Sequence, residues 1–527
     1  VAQGQLEEAE AVSTAMPAAL PVGCQEPERS ADLHLAQAAG STRRVRLGRN
    51  DLCHCGSHRK YKRCCLQQDL RTARKARGMR LPPWVMDSPE KLGKLIKYAT
   101  DVFGLPHLLG RLVDSRRQKS VTHQTLDVVQ SLFFAGVLRC PSINAIEGEL
   151  KQAPFQKLIG RPPAPDKKAF SAEVIYNVLD KLELEGLRHN IEDVIWTAER
   201  NKVFRDGSYG TLRCVAIDGW EPFCSYERHC PECLTREVSV KDLATGEIRK
   251  RTQYYHRYVV AMLIDPVMDM VLGVEPIRNA ESRRDLGEDA HHEGELTAAY
   301  RLIKWLRATY GTFIDALVMD ALYANGPTMS LLKICGYGGL IVLKKEHNEP
   351  LKEALALWAD QAPCETFDDP DNHEHVELWD VQHIDTLHSY EGKLRVVRGR
   401  ITKKNGSRST WCFALVGDRL RSFGRRTALK AVRGRWHLEN TGFGQWVQYW
   451  NLGRVFHHTN NAIQALLLIW MLVFNLLQLF IFRRLKRSRR PKDPCDTIIN
   501  IVAQMRRAVG AIPEPIAWEV LADAATS

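Results

Sequence analysis

The sequence carries no disulfide framework. Its 14 cysteines either cluster at metal-ligand spacing or sit singly in apolar runs, which predicts a reducing compartment. It also lacks a secretory leader pattern: residues 1–40 are acidic and Ala-rich, without a long apolar core. The expected location is therefore cytoplasmic. Acidic residues are nearly missing from two stretches. Residues 43–80 hold 13 Lys/Arg against Asp51 and Asp69, and residues 483–492 hold seven basic residues and no acid. With a net charge of +12 over 527 residues, this points to a polyanion or an acidic surface as partner. Each block alone also reads as a solvated, flexible segment. Apolar periodicity is missing from residues 1–42, which read as a disordered tail.

Long apolar runs are scarce. Residues 462–482 form one, 21 residues long and followed by the second basic block. Its length permits a membrane span, and a basic flank is what a cytoplasmic end looks like. Its amides argue otherwise. Gln464, Asn475 and Gln478 fall within about 60° of one another on a helical wheel at about 100° per residue. His457, Asn460 and Asn461 extend that stripe. The pattern predicts a helix buried against a sheet with one edge toward a polar site, and no membrane.

What is present is organised around Cys-Val-Ala-Ile-Asp-Gly-Trp, residues 214–220. A short apolar run ending in Asp218 and a glycine reads as a buried strand with a carboxylate on the lip of the core. The pattern returns in Ala-Leu-Val-Met-Asp-Ala-Leu-Tyr, residues 316–323, which places Asp320 at a second strand end. Glu439 lies in a stretch, residues 433–440, that reads as helix. Two strand-end aspartates and a helical glutamate suit divalent cations, which favour oxygen ligands. Between the aspartates, Leu296, Ala299, Leu302, Ile303 and Leu306 form a helical stripe. Residues 326–335 read as helix and 339–343 as strand, a parallel crossover. Lys344 and Lys345 follow at the acids' end, placed for a phosphate backbone or simply solvated. Residues 376–381, 394–401 and 410–416 are β-type runs with an Asn405-Gly406 turn.

Two cysteine groups have zinc spacing. Cys53, Cys55, Cys64 and Cys65 follow C-x-C-x8-C-C, and their surroundings (Gly-Arg-Asn-Asp, Cys-x-Cys-Gly-Ser, Lys-Tyr-Lys-Arg-Cys-Cys) resemble the SEC-C zinc motif. A module so small needs its metal to fold. It would serve as a docking module or a nonspecific DNA clamp. The second group is Cys224, Cys230 and Cys233, with His256 or His229 as the fourth ligand; His256, at the start of the 258–264 strand, is favoured.

The ordered set of strand-Asp, strand-Asp, β-rich insertion and helix-Glu resembles the DDE transposases of bacterial insertion sequences. A Tyr-x2-Arg-x3-Glu-x6-Lys signature surrounds the glutamate in the matching subgroup. Arg435 and Glu439 match it, whereas Val432 and Trp446 stand at its Tyr and Lys positions. The resemblance implies an α/β core with a ribonuclease H-like mixed sheet. It implies two Mg2+ (or Mn2+), with Asp218 bridging both and Asp320 and Glu439 holding one each. Arg435 would neutralise the scissile phosphate, and Arg433, Arg435, Lys344 and Lys345 would contact DNA. The implied partners are double-stranded DNA, as terminal inverted repeats and target, and further copies of the chain in a dimer or larger synaptic assembly. DNA-bound chains would then associate with the nucleoid. Trp436 and Trp446 would stack on bases or fill the core.

The expected organisation is a tail (1–42), a zinc module (43–68) and a helical region, DNA-binding or scaffold (69–202). The first part of the core follows (203–343, with a knuckle insertion at 221–257). Then come a β-rich insertion (344–425), the rest of the core (426–485) and a basic C-terminal tail (486–527). The competing readings are a catalytically inactive, zinc-containing DNA-binding protein derived from a transposase, and a membrane-anchored zinc protein.

Overall fold

The computed structural model describes residues 81–117, 121–161, 169–241, 246–288, 291–344, 348–454, 457, 459–485 and 497–526. The tail, the C-x-C…C-C module with Cys53, Cys55, Cys64 and Cys65, and Lys345 lie outside the described residues.

Every secondary-structure element described before residue 200 is a helix. Leu92, Leu95, Ile96 and Ala99 are buried along Lys91–Phe103, as their spacing predicts. Ser142 caps Ile143–Leu150, its side chain accepting from Ala145 N at 3.1 Å. Ser171 stands at the start of Ala172–Leu179 without a side-chain cap bond; the Glu147 carboxylate accepts from Ala172 N instead, at 2.9 Å. In Thr125–Val137 the helix-spaced Leu126, Val129, Gln130 and Phe133 predict a single buried stripe, yet residues 128–137 are all buried. Its closeness to the rest of the chain explains this. A Cβ on Gly136 would meet Trp470 Cδ1 at 2.8 Å, and Trp450 Nε1 donates to the Gly136 carbonyl at 2.7 Å.

The strands run in chain order: β1 (Cys214–Trp220), β2 (Cys224–Ser225), β3 (Leu234–Lys241), β4 (Ile248–Tyr255), β5 (Tyr258–Leu263), β6 (Met270–Pro276), β7 (Ala316–Met319) and β8 (Gly338–Val342). Then come β9 (Glu365–Asp369), β10 (Glu374–Ile384), β11 (Leu394–Lys403) and β12 (Arg408–Val416). Nine of them form one mixed sheet, ordered β6-β5-β1-β7-β8-β12-β11-β10-β9. The β6-β5-β1 pairs are antiparallel, β1-β7-β8 are parallel, and the rest are antiparallel. The β-rich insertion is thus an extension of the central sheet, joined through β12 to β8. Asn405-Gly406 makes the expected β11–β12 turn, with Gly406 at φ +80°, where a side chain would be strained. β2, β4 and β3 form a separate three-stranded sheet.

Asn460–Leu479 is the apolar helix, continued by a π-helical turn, Phe480–Arg484. It passes the length and hydropathy test for a membrane span, yet 94% of its most apolar window is buried inside the protein. It packs against Leu184–Arg200, Thr125–Val137 and β6. Two asparagines of its polar stripe bond backbone. Asn475 accepts from Val271 N and donates to Val271 O, both at 2.8 Å, on the edge strand β6. Asn461 donates to the carbonyls of Leu179 (2.8 Å) and Leu182 (3.1 Å), which follow or end a helix. The expected polar site beside this helix is therefore an open sheet edge and a helix end.

Candidate active site

Two aspartates meet because of strand register. β1 and β7 are parallel, with Cys214 opposite Ala316, Val215 opposite Leu317 and Ala216 opposite Val318. Carried two residues on, the same offset brings Asp218 level with Asp320. Adjacent strands lie about 4.8 Å apart, and level residues point to the same face. β7 stops at Met319, and Asp320 caps the short turn Ala321–Tyr323, accepting from Leu322 N at 2.9 Å. β1 continues past this point, so Asp218 sits where its neighbour on that side ends.

Glu439 arrives from a distant helix. Arg425–Gly434 runs through Arg435 into a π-helical segment, Leu438–Phe443, and on to Gly444–Trp450. Wider π turns inside helices recur at functional sites because they re-aim side chains. Aromatic packing holds the segment to the end of β1. Trp220 stacks on Phe443 (centroids 5.3 Å apart, planes 7° apart) and meets Trp446 edge-on at 5.2 Å. Trp446 is buried and fills the core, whereas Trp436 is exposed. The Arg435 guanidinium bonds Asp218 Oδ2 and, through the same nitrogen, Glu439 Oε1 at 2.8 Å.

A fourth acid completes the cluster. Glu295 is the first residue of Glu295–Tyr310; its Oε2 accepts from Arg257 Nη2 at 2.6 Å and its Oε1 from Tyr323 OH at 2.9 Å. It lies against β1 so closely that a Cβ on Gly219 would fall 2.2 Å from Glu295 Oε2. Sequence reasoning missed Glu295, since an acid in the first turn of a helix has an ordinary explanation in the helix dipole. The available signal was its partners: Arg257 beside a strand start and Tyr323 three residues after Asp320.

The electrostatics follow from this crowding. Burial pushes the Asp218 carboxyl up to about 7; Arg435 opposes the rise, and Asp320, Glu295 and Glu439 add to it. Burial and Glu295 also raise the Tyr323 hydroxyl, keeping it a neutral donor. Four carboxylates thus face two guanidiniums. The donors are all oxygens, the set that hard divalent cations take. Among the described residues, Asp218, Asp320 and Glu439 do not close into a single-ion cluster, and the Arg435 guanidinium joins Asp218 to Glu439.

Other expected residues fall elsewhere. Arg433 forks onto Glu374 (2.7 and 3.0 Å), whose side chain is 4% exposed, while 31% of the Arg433 side chain stays open to solvent. Lys344 is exposed just past β8. Cys230, Cys233 and His256 converge, whereas Cys224 is exposed and is not part of that group. Strand alternation explains the separation. Cys224 and Leu234 both pair with Tyr255, on opposite sides of β4. Cys233 and His256 are the next pair in that register and point to the other face.

Comparison with known proteins adds little. A family described as the SEC-C motif matches residues 49–67, outside the described residues. No curated protein matches the chain. Among solved structures, the chain is similar to a piggyBac transposase in a synaptic complex with hairpin DNA. The identity is 11% and the TM-score 0.35, over 81% of this chain and 84% of that one. A likeness at that level carries no argument about activity.

Proposed function

We propose that the chain is a DNA transposase of the DDE type, cutting phosphodiester bonds at the ends of a mobile element and joining them to target DNA. The observation that carries this reading is the β1–β7 register, which sets Asp218 level with Asp320, with Glu439 reaching the same point from the π-helical segment. The strand order supports the ribonuclease H-like reading of the core: an antiparallel meander β6-β5-β1, then two parallel strands.

Asp218, Asp320 and Glu439 would hold two Mg2+ or Mn2+ ions. Bound there, such ions would activate the attacking oxygen and neutralise the leaving one. Arg435 serves two partners in turn on this reading. Its guanidinium screens Asp218 and Glu439 from each other, and it would be available to the scissile phosphate if cations neutralised those acids. Glu295, clamped by Arg257 and Tyr323, forms a fixed wall behind Gly219 and keeps Asp218 in place. Exposed Lys344 is positioned to meet backbone phosphate. The SEC-C-like module would carry its own zinc.

The test is strand cleavage of a DNA fragment bearing the sequences that flank the reading frame, with Mg2+. Asp218→Asn, Asp320→Asn and Glu439→Gln should each abolish cutting while the far-ultraviolet spectrum is kept. Unchanged cutting by Asp218→Asn would overturn the reading. The guanidinium between Asp218 and Glu439 also favours a second reading, an inactive DNA-binding descendant of a transposase. That version predicts binding of the same fragment with no cleavage at any Mg2+ or Mn2+ concentration.

A further inference from the structure

We propose that Cys230, Cys233 and His256 bind one zinc ion, and that this ion clasps the β2-β4-β3 sheet to the central sheet. The group shares no residue with the acid cluster, and the proposal stands whether or not those acids cut DNA.

The distances fit a tetrahedral metal site. Cys230 Sγ and Cys233 Sγ are 3.6 Å apart, and each lies 3.4 Å from His256 Nε2. Tetrahedral zinc, with Zn–S about 2.3 Å and Zn–N about 2.05 Å, sets sulfurs about 3.75 Å apart and sulfur about 3.55 Å from nitrogen. All three edges agree to within about 0.2 Å, the tolerance for a credible site. A disulfide is excluded, since its sulfurs would lie about 2.05 Å apart.

The surroundings are built for the ion. Cys230-x2-Cys233 forms a tight knuckle, with Cys233 N donating to Cys230 O at 3.1 Å and Cys230 N to Cys233 Sγ at 3.3 Å. Amide donors of this kind offset the negative charge of a thiolate ligand. Cys233 and His256 are both buried. The buried side chain of Asn279 donates to the carbonyls of Pro231 (2.6 Å) and Cys233 (3.2 Å), tying the knuckle to the segment after β6. His256 is the single residue between β4 and Arg257, whose guanidinium holds Glu295. A metal at this point therefore joins the exposed β3–β4 ribbon to the central sheet at its root. His229, next to Cys230, or water completes the tetrahedron.

The test measures metal in the full chain. A Cys53→Ser/Cys55→Ser background removes the contribution of the other cysteine group. In that background about one zinc per chain is expected, falling to near zero on adding Cys233→Ser or His256→Ala. Cobalt replacement gives a second readout on the unmutated ribbon: sulfur-to-cobalt absorption should appear, and a chelator should remove it. The same chelator should then speed tryptic cutting at Arg249, Lys250 and Arg251 severalfold. His229→Ala identifies the fourth ligand: weaker zinc binding assigns it to His229 and unchanged binding assigns it to water. Zinc content unaffected by the Cys233→Ser and His256→Ala changes would overturn the proposal, as would a folded parent that takes up neither zinc nor cobalt at this site.

Discussion

Replacing Asn475 by leucine tests how the apolar helix is fixed. Asn475 is wholly buried, and its amide makes two 2.8 Å hydrogen bonds to the backbone of Val271. β6 is the last strand of the sheet, so these outward-facing groups have no strand partner. A bulge beside them, between the Ala261 and Met262 pairings, leaves the edge more dependent on outside support. The amide acts as one rung of a missing strand. Leucine has similar volume but supplies neither donor nor acceptor. It strands one N–H and one C=O in an apolar layer, at about 1–3 kcal/mol each, and regains part of that through its own burial. The expected net loss is about 2–4 kcal/mol, or roughly 30- to 1000-fold in local opening. Hydrogen–deuterium exchange of the peptide covering β6 reads this directly. Its exchange should accelerate within that range, while β7 and β8 peptides change little. Asn475→Asp should be no better, because it keeps the acceptor, loses the donor and buries a charge. A change below about threefold in Asn475→Leu would refute the reasoning, since the amide would then be replaceable by packing alone.

Three further outcomes follow from named contacts. Gly219→Ala should keep the fold but cut cleavage by about tenfold or more, because the new Cβ must displace a carboxylate pinned by Arg257 and Tyr323; activity and melting temperature together check it. Burial would raise the Asp114 carboxyl, but hydrogen bonds from Arg116 and Thr125 overcome this and hold it below its usual value. Its stabilisation is therefore present above the ordinary carboxylate range and lost as pH falls through the depressed value. Asp114→Asn should melt lower at neutral pH, and the gap should close in acid. Arg395→Met should cost about 3–5 kcal/mol, because it leaves Asp380 in a site only 8% exposed. Arg425, 3.3 Å from Asp380, should hold the loss at the low end, and the Arg395→Met/Asp380→Leu double variant should recover the part due to the stranded carboxylate but not the bonds Arg395 gives to the Leu420, Arg421 and Phe423 carbonyls.

Local chemistry made much of this fold readable. Gly326–Cys335 starts and ends where its sequence says, because Asn325 caps it through Thr328 N and Gly336 turns the chain at φ +66°. The strands carrying Asp218 and following into Asp320 announce themselves as apolar runs. Pairing between distant segments was not readable. Nothing near β12 says that it will join β8, and that pairing turns an expected separate β-insertion into sheet. Cys224 falls outside the Cys230, Cys233 and His256 group because spacing counts residues along the chain, whereas alternation decides which face they share. Glu295 was hard to read for another reason: its meaning lies in Gly219, Arg257 and Tyr323, all of them remote from it in the chain.

The weaving of β9 to β12 into the main sheet limits how this region can change in length. Each of these strands runs opposite to its neighbour, and β12 must oppose β8 for the chain to leave toward the Glu439 helix. Loss of one outer strand would deliver the incoming chain at the wrong end of the sheet. Loss of the outer hairpin, β9 with β10, would preserve every direction that matters. Natural or engineered shortening of this wing should therefore proceed by even numbers, with Glu439 left where it is.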